Sequence, residues 1–296
     1  MNKKILCILS ATVLSLSMVS CSSLNLNNDD ASAIVHKKDA VSDQKTEVSD
    51  YADEETLYQY STYNAFSQGT FEGLTPAKDF LTYGDTGLGY ADGLDGAIIV
   101  VDGTAYHITS DGVAKECDKN DKIAYGAVTK LNSSKTQSIL EIKGIKNFCN
   151  ALSNQIILNQ LNIAKIDGTF SSLKLTCPKA QSEPYKSYKT ASKDNVNNSY
   201  KDIKGTIIAV YYPEFYDGIG QKGWNMFFIS EDKSKGGIVT DVHIKEGKCI
   251  IEKTSKFALE TPQTDSFNKL TLEAGIDSDT DDEKTDIDNS SQSDEQ

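Results

Sequence analysis

The chain contains no arginine; all 30 of its basic residues are lysines. Without a guanidinium it cannot form the planar, two-pronged clamp that many proteins use on carboxylates and phosphates. Histidine is nearly as scarce, with only His36, His107 and His243 in 296 residues. No two cysteines stand in a CxxC pair, so a thiolate metal cluster is not expected. The apolar run from Ile5 to Val19 has 15 residues, short of the roughly 20 that a bilayer span needs. The central part of the chain has no excess of basic residues, which argues against a nucleic-acid partner.

What is present at the two ends is instructive. Lys3 and Lys4 precede the apolar run, and Ser20-Cys21 follows it. This order fits a signal peptide. It also resembles the bacterial lipoprotein cleavage box, apart from Met18 where that box usually has leucine. Residues 1–20 are therefore expected to be a lipoprotein signal peptide, and Cys21 the lipidated residue of an exported protein anchored to the cell envelope. Ordinary cleavage nearby, with Cys21 a bystander, is the other reading. Residues 21–56 are rich in Asp, Ser, Asn, Lys and Thr; such a segment buries too little apolar surface to offset its chain entropy and reads as a flexible tether.

At the far end, residues 273–296 hold ten acidic residues against Lys284. The tail, the tether and the two lysines at the start, Lys3 and Lys4, together account for the formal net charge of −13. Asp277, Asp279 and Asp281 have the one-three-five spacing of a calcium loop, but its sixth position is Asp282 instead of glycine and its twelfth is Asp288 instead of glutamate. The segment reads as a disordered acidic tail. Of the cysteines that remain after processing, Cys117, Cys149, Cys177 and Cys249 could form two bridges in three ways or stay as free thiols.

Between the ends, residues 57–272 suffice for one substantial domain. Strand signals dominate. Ala97–Val101 and Thr104–Thr109, two β-branched runs around Asp102-Gly103, read as a hairpin. Further strands are expected at Ile123–Leu131, Asn162–Asp167, Ser172–Cys177, Lys204–Tyr212, Trp224–Ser230, Gly237–Ile244 and Cys249–Leu259. Helical spacing appears at Thr56–Ser67 and at Ile145–Ile157, where Ile145, Phe148, Cys149, Leu152 and Ile156 share a face. The body is thus a β-rich α+β domain, with two curved sheets of mixed and antiparallel strands and a few helices.

A set of separated motifs then occurs in order: Tyr58-Gln-Tyr-Ser-Thr62, Tyr83-Gly-Asp-Thr-Gly-Leu-Gly89, Gly93-Leu-Asp-Gly96 with Val101-Asp-Gly103, Ile166-Asp-Gly-Thr-Phe170, and Phe228-Ile-Ser-Glu-Asp232 with Gly236-Gly237. Together they resemble the bacterial α-acetolactate decarboxylases over residues 57 to about 270. The resemblance implies that fold, a dimer formed by edge-to-edge extension of a sheet, and conversion of 2-acetolactate to acetoin and CO2. In that family a zinc ion on three histidines carries the reaction.

Position by position, the resemblance breaks where the chemistry should be. The family's His-x-His strand, in a Gly-Tyr-His-Leu-His-Phe-Ile setting, reads Gly223-Trp-Asn-Met-Phe-Phe-Ile229 here, so Asn225 and Phe227 stand at two ligand positions. The third ligand follows Gly-Gly; here Ile238 follows Gly236-Gly237. The glutamate of Leu-Asp-Gly-Glu is Ala97, the arginine of Arg-Ile-Asp-Gly is Lys165, and the threonine after Gly-Leu-Gly is Tyr90. The family's C-terminal glutamate has no recognisable counterpart. His107 lies on the hairpin's return strand, and His243, five residues past Ile238, would face away from it on a regular strand.

No metal, cofactor or catalytic residue is therefore expected. Tyr90, Ala97, Lys165, Asn225, Phe227 and Ile238 are candidate pocket-lining residues. They would either hold a small organic acid against Lys165 or simply fill the former cleft. The expected function is a lipid-anchored, non-catalytic family member with a binding or scaffolding role; the alternative is an active decarboxylase with an altered site.

Overall fold

The computed structural model describes residues 56–132 and 135–272. The expected signal peptide, Cys21, the expected tether up to residue 55 and the expected acidic tail, together with His36, lie outside the described residues. Two sheets make up the body. The first contains β1 (Thr56–Tyr60), β2 (Thr75–Pro76), β3 (Thr86–Ala91), β4 (Ala97–Val101), β5 (Thr104–Ile108), β6 (Ala114–Glu116), β7 (Lys122–Thr129) and β14 (Lys256–Glu260). Their order is β14-β1-β7-β3-β4-β5-β6, with β2 on β7. The sheet is mixed, because β14 runs parallel to β1 while the other pairs are antiparallel.

The second sheet is antiparallel and has β8 (Thr136–Ile139), β9 (Ile142–Lys143), β10 (Leu161–Cys177), β11 (Val196–Tyr212), β12 (Gly223–Ser230) and β13 (Gly236–Thr254). β10 pairs with both β11 and β13, and β12 also pairs with both, so these four strands close on themselves. Five short helices complete the body: α1 (Tyr63–Ser67), α2 (Ala77–Phe80), α3 (Ile145–Ser153), α4 (Tyr188–Ala191) and α5 (Asp265–Asn268). None of the described helices is long and apolar enough to cross a membrane.

Strand alternation sorts the side chains into three cores. Leu88, Ile99 and Val101 of the first sheet meet Ile163, Ile208, Phe227 and Ile229 of the second in the layer between the sheets. Behind the second sheet, Ile166, Ile207, Met226, Phe228 and Val242 pack with Phe148 and Leu152 of α3. On the outer face of the first sheet, Tyr58, Tyr60, Ile98, Val100 and Val128 pack under Phe80 of α2. At Gly236 the strands come very close, since a β-carbon there would lie 2.6 Å from both Ile108 Cδ1 and the Phe228 carbonyl oxygen. At Gly96 the backbone has φ +86°, and a β-carbon would fall 2.1 Å from the Ile108 oxygen. Both glycines belong to the motifs noted above.

The hairpin is present as read, and so are β7 and β12 to within a residue or two. The two expected strands at Asn162–Asp167 and Ser172–Cys177 are one continuous strand, and β11 begins eight residues before Lys204. Glycines and polar residues lie in the middle of these strands because they bend there: the β10–β13 register shifts between Thr169 and Phe170, Phe170 and Ser172, and Lys174 and Leu175. For the same reason β13 runs unbroken through Lys245–Lys248.

Thr56–Tyr60 is a strand, not the start of a helix. All five of its residues are buried and it lies between β14 and β7; short apolar runs fit either period, and partners distant in sequence decide. The expected helix at Ile145–Ile157 stops at Ser153, and Ile157 is exposed.

Candidate functional site

β12 sends Phe227 and Ile229 into the layer between the sheets and Trp224, Met226 and Phe228 to the other side. The register then lines up a transverse row. Lys165 of β10 pairs with Ile208 of β11, Ile208 with Phe227 of β12, and Phe227 with Ile238 of β13. The adjacent row runs Ile163, Val210, Asn225. From the opposite sheet, β3 and β4 present Tyr90 and Ala97, which pair with each other. Tyr90, Ala97 and Phe227 belong to one core, and Ile238 packs against it.

Rings fill this layer. Phe227 is 2% exposed, Tyr90 5% and Ala97 0%. The Tyr90 ring contacts Phe227 with centroids 5.5 Å apart, Phe66 at 4.5 Å and Tyr188 of α4 at 5.7 Å. Its hydroxyl lies 3.3 Å from that of Tyr188. Burial, followed by the neighbouring Tyr188, holds the Tyr90 phenol well above its ordinary pKa. Beside it, Tyr212 donates a 2.6 Å hydrogen bond to Gln59 Oε1. β3 re-aims at this point, where the β3–β7 register slips by one residue between Tyr90 and Ala91.

The two polar members of the set are engaged elsewhere. Asn225 Nδ2 donates to the carbonyl oxygens of Gln221 at 2.6 Å and Gly223 at 3.3 Å, bracing the loop before its own strand. Lys165 Nζ lies 2.5 Å from Asp102 Oδ1 on the β4–β5 turn. Its side chain is 13% exposed while that of Asp102 is 73% exposed. The lysine stem thus lies along the inter-sheet face, and the charge reaches the rim.

Of the six candidates, the structure brings Tyr90, Ala97, Phe227 and Ile238 into direct association. Lys165 lies two strands from Phe227, about 10 Å away at ordinary strand spacing. Sequence reasoning missed Phe66, Tyr188 and Asp102. Asp102 carried a signal as the tip of an Asp-Gly turn, but Tyr188, on a four-residue helix in a loop, carried none.

The donors at the row do not fit a zinc ion. An amide bonded to its own loop, a phenyl ring and a sec-butyl group stand where nitrogen, thiolate or carboxylate ligands would be needed. Among the described residues, no three His, Cys, Asp or Glu side chains converge as a metal-holding group. His107 sits on the outer face opposite Ile98, its Nε2 against the Asp95 carbonyl oxygen. His243 pairs with Ser172 and Lys143, far along β13. The expectation that it faces away from Ile238 needs correction. Thr240 is bulged between Val239 and Asp241, so Val239, Val242 and Ile244 all pack behind the sheet and His243 regains the side of Ile238. It is still five residues away.

Cys117, Cys149, Cys177 and Cys249 are all free thiols. Burial pushes Cys177 up to about 11 and Cys249 up to about 12, so they are poor nucleophiles and poor ligands near neutral pH.

Two packed sheets, one of them partly closed, with the row Lys165–Ile208–Phe227–Ile238 on the face between them, define a β-rich α+β domain. The sequence profile of the alpha-acetolactate decarboxylase family matches residues 57–274, and the chain belongs to that family. It is 29% identical over 219 residues to the alpha-acetolactate decarboxylase of Methanosarcina mazei, covering 74% of this chain and 76% of that protein. It is also 29% identical over 217 residues to the Brevibacillus brevis enzyme, covering 73% and 76%. The crystal structure of alpha-acetolactate decarboxylase from Bacillus subtilis strain 168 superposes with a TM-score of 0.72 at 26% identity, covering 74% of this chain and 94% of that one. A Staphylococcus aureus protein of unknown function, described as similar to alpha-acetolactate decarboxylase, gives 0.70 at 25% identity.

Proposed function

We propose that this protein is a non-catalytic member of the acetolactate decarboxylase family, held at the cell envelope by a lipid on Cys21, with a binding or scaffolding role. The observation that carries the reading is the row Lys165–Ile208–Phe227–Ile238. Loss of CO2 from a 2-keto or 2-hydroxy acid leaves an electron pair that must be stabilised as it forms. Enzymes do this with a metal or with aimed donors in a dry site. Here that place holds hydrocarbon, and its one cation is paired with Asp102. Removing a single charge-stabilising donor costs an active site about 100- to 1,000-fold, and none of the three positions at which the family resemblance implies a ligand, Phe227 and Ile238 in this row and Asn225 in the adjacent one, carries an imidazole.

The purified protein is expected to contain no stoichiometric zinc by elemental analysis and to release acetoin from 2-acetolactate no faster than buffer. Zinc near one equivalent, or turnover that copurifies with the chain, would sink the reading. For the anchor, Cys21→Ala should abolish labelling by a radiolabelled fatty acid in the producing cell and release the protein from membranes. Sedimentation of the purified chain tests the dimer that the family resemblance implies.

A second reading, an active decarboxylase with an altered site, is favoured by the match across the whole domain. It depends on Lys165, the one cation in the row, as electrophile for the departing carboxylate's electron pair. Lys165→Met should then abolish turnover, whereas activity that persists in this variant would come from a contaminant.

A further inference from the structure

A cavity of about 590 Å3 opens on the outer face of the first sheet, away from the inter-sheet layer. Small-molecule pockets span roughly 300–1,000 Å3. The end of β1, the β2–α2 segment and the exit of β14 build it, with Tyr60, Thr75, Asp79, Tyr83, Glu260 and Gln263 among its lining. Two carboxylates line it, and no lysine or histidine does.

Its walls are held in place. Tyr58 donates a 2.6 Å hydrogen bond to Glu260 Oε2 and stacks on Tyr83, with ring centroids 3.7 Å apart and planes within 7°. The first contact fixes the carboxylate and leaves it further acceptor capacity; the second fixes the aromatic wall. Tyr60 is 1% exposed, and its hydroxyl has no well-formed hydrogen bond, although the Leu74 backbone acts on it as a donor. A buried hydroxyl left in this condition is unfavourable unless something arrives to bond it. Burial first, and then the carboxylate of Glu260, push the Tyr60 phenol up to about 12 against an opposing effect of the Leu74 backbone, with smaller contributions from Glu72 and Asp92. The local field is therefore negative.

We infer that this cavity binds a small organic cation, a primary amine or diamine, which donates N–H hydrogen bonds to Glu260, Asp79 and the Tyr60 hydroxyl. Acceptors without a competing cation, a volume of small-molecule size and an unsatisfied buried hydroxyl all ask for a ligand that brings positive charge and several donors. The site lies on a different face from the row of former metal positions, so this inference stands whether or not the protein is catalytic.

Isothermal titration of the full chain with 1,4-diaminobutane, with 1,4-butanediol as its neutral counterpart and with calcium chloride tests it. The diamine should bind saturably and the diol should not. Glu260→Gln and Asp79→Asn should each weaken diamine binding at least tenfold, and Tyr60→Phe at least threefold. If Glu260→Gln melts early through loss of its Tyr58 contact, Asp79→Asn and Tyr60→Phe decide. No saturable binding of the diamine would overturn the inference. So would diamine binding that all three variants leave unchanged, which would place it on the acidic chain ends. Calcium binding lost in Glu260→Gln, with the diamine silent, would make this a metal site and overturn it equally.

Discussion

Phe227 meets Tyr90 edge to face across the space between the two sheets, with ring centroids 5.5 Å apart and planes at 84°. One ring stands at a position where the family resemblance implies a histidine ligand, the other where it implies a threonine. The two substitutions are complementary: a larger side chain from each sheet closes the same volume. Such aromatic pairs add about 0.5–1.5 kcal/mol beyond the area they bury. Both rings belong to the core between the sheets.

If Phe227 is a core side chain, its removal should have a core-sized effect. Phe227→Ala is expected to destabilise the domain by about 3–5 kcal/mol, read from urea unfolding. Phe227→Leu, which retains most of the volume, should cost less than about 1.5 kcal/mol. A loss below about 1 kcal/mol in the alanine variant would mean that the ring borders open space.

Rebuilding the metal site should need more than its ligands. The triple variant Asn225→His, Phe227→His, Ile238→His is expected to bind zinc poorly, because the Tyr90 ring stays in the layer. Adding Tyr90→Thr should tighten zinc binding at least tenfold in a competition titration. Tight binding by the triple variant alone would show that the ring moves aside freely.

Lys165 and Asp102 join the closed strands to the β4–β5 turn. Because Asp102 is largely exposed, solvent screens the pair, and Asp102→Asn should cost only about 0.2–1 kcal/mol, shrinking further in 1 M salt. Lys165→Met keeps the buried stem and should be close to neutral. A loss above about 2 kcal/mol from either change would show that the pair is shielded from solvent in solution.

The buried thiols predict a pH dependence with a definite sign. Cys177 and Cys249 are raised by burial from an ordinary value near 9 to about 11 and about 12. A group whose folded pKa lies above its unfolded one contributes stability that is complete below the unfolded value. That contribution is lost as pH climbs from about 9 through the folded values. The urea midpoint should therefore fall between pH 9 and 11, less steeply in Cys177→Ala. Both thiols should also resist a disulfide reagent at pH 8 until denaturant is added; rapid labelling of the native protein would contradict this.

The hairpin around Asp102-Gly103 could be read directly because its signal is local: β-branched runs flank a turn whose φ values, 51° and 78°, suit Asp and Gly. The family was equally legible, since motifs such as Gly236-Gly237 record close approaches that admit no β-carbon. Thr56–Tyr60 was not legible. Its five residues suit a helix or a strand, and β14, about 200 positions away, decides for the strand. The orientation of His243 was hidden as well, because a bulge at Thr240 reverses the alternation that sequence spacing assumes.

The amino-acid order alone determined what stands at the implied ligand positions: in a chain without arginine, Asn225, Phe227 and Ile238 offer one amide and no imidazole, thiolate or carboxylate, whatever the shape. Only the tertiary structure decided what fills the space around them, because Phe227, Ile238 and Tyr90 come from three different strands and meet through register and sheet packing, neither of which is written in local spacing. The outer cavity at Tyr60 and Glu260 is of the same kind, for it is built by segments that lie far apart in the chain and touch only once β14 has paired with β1.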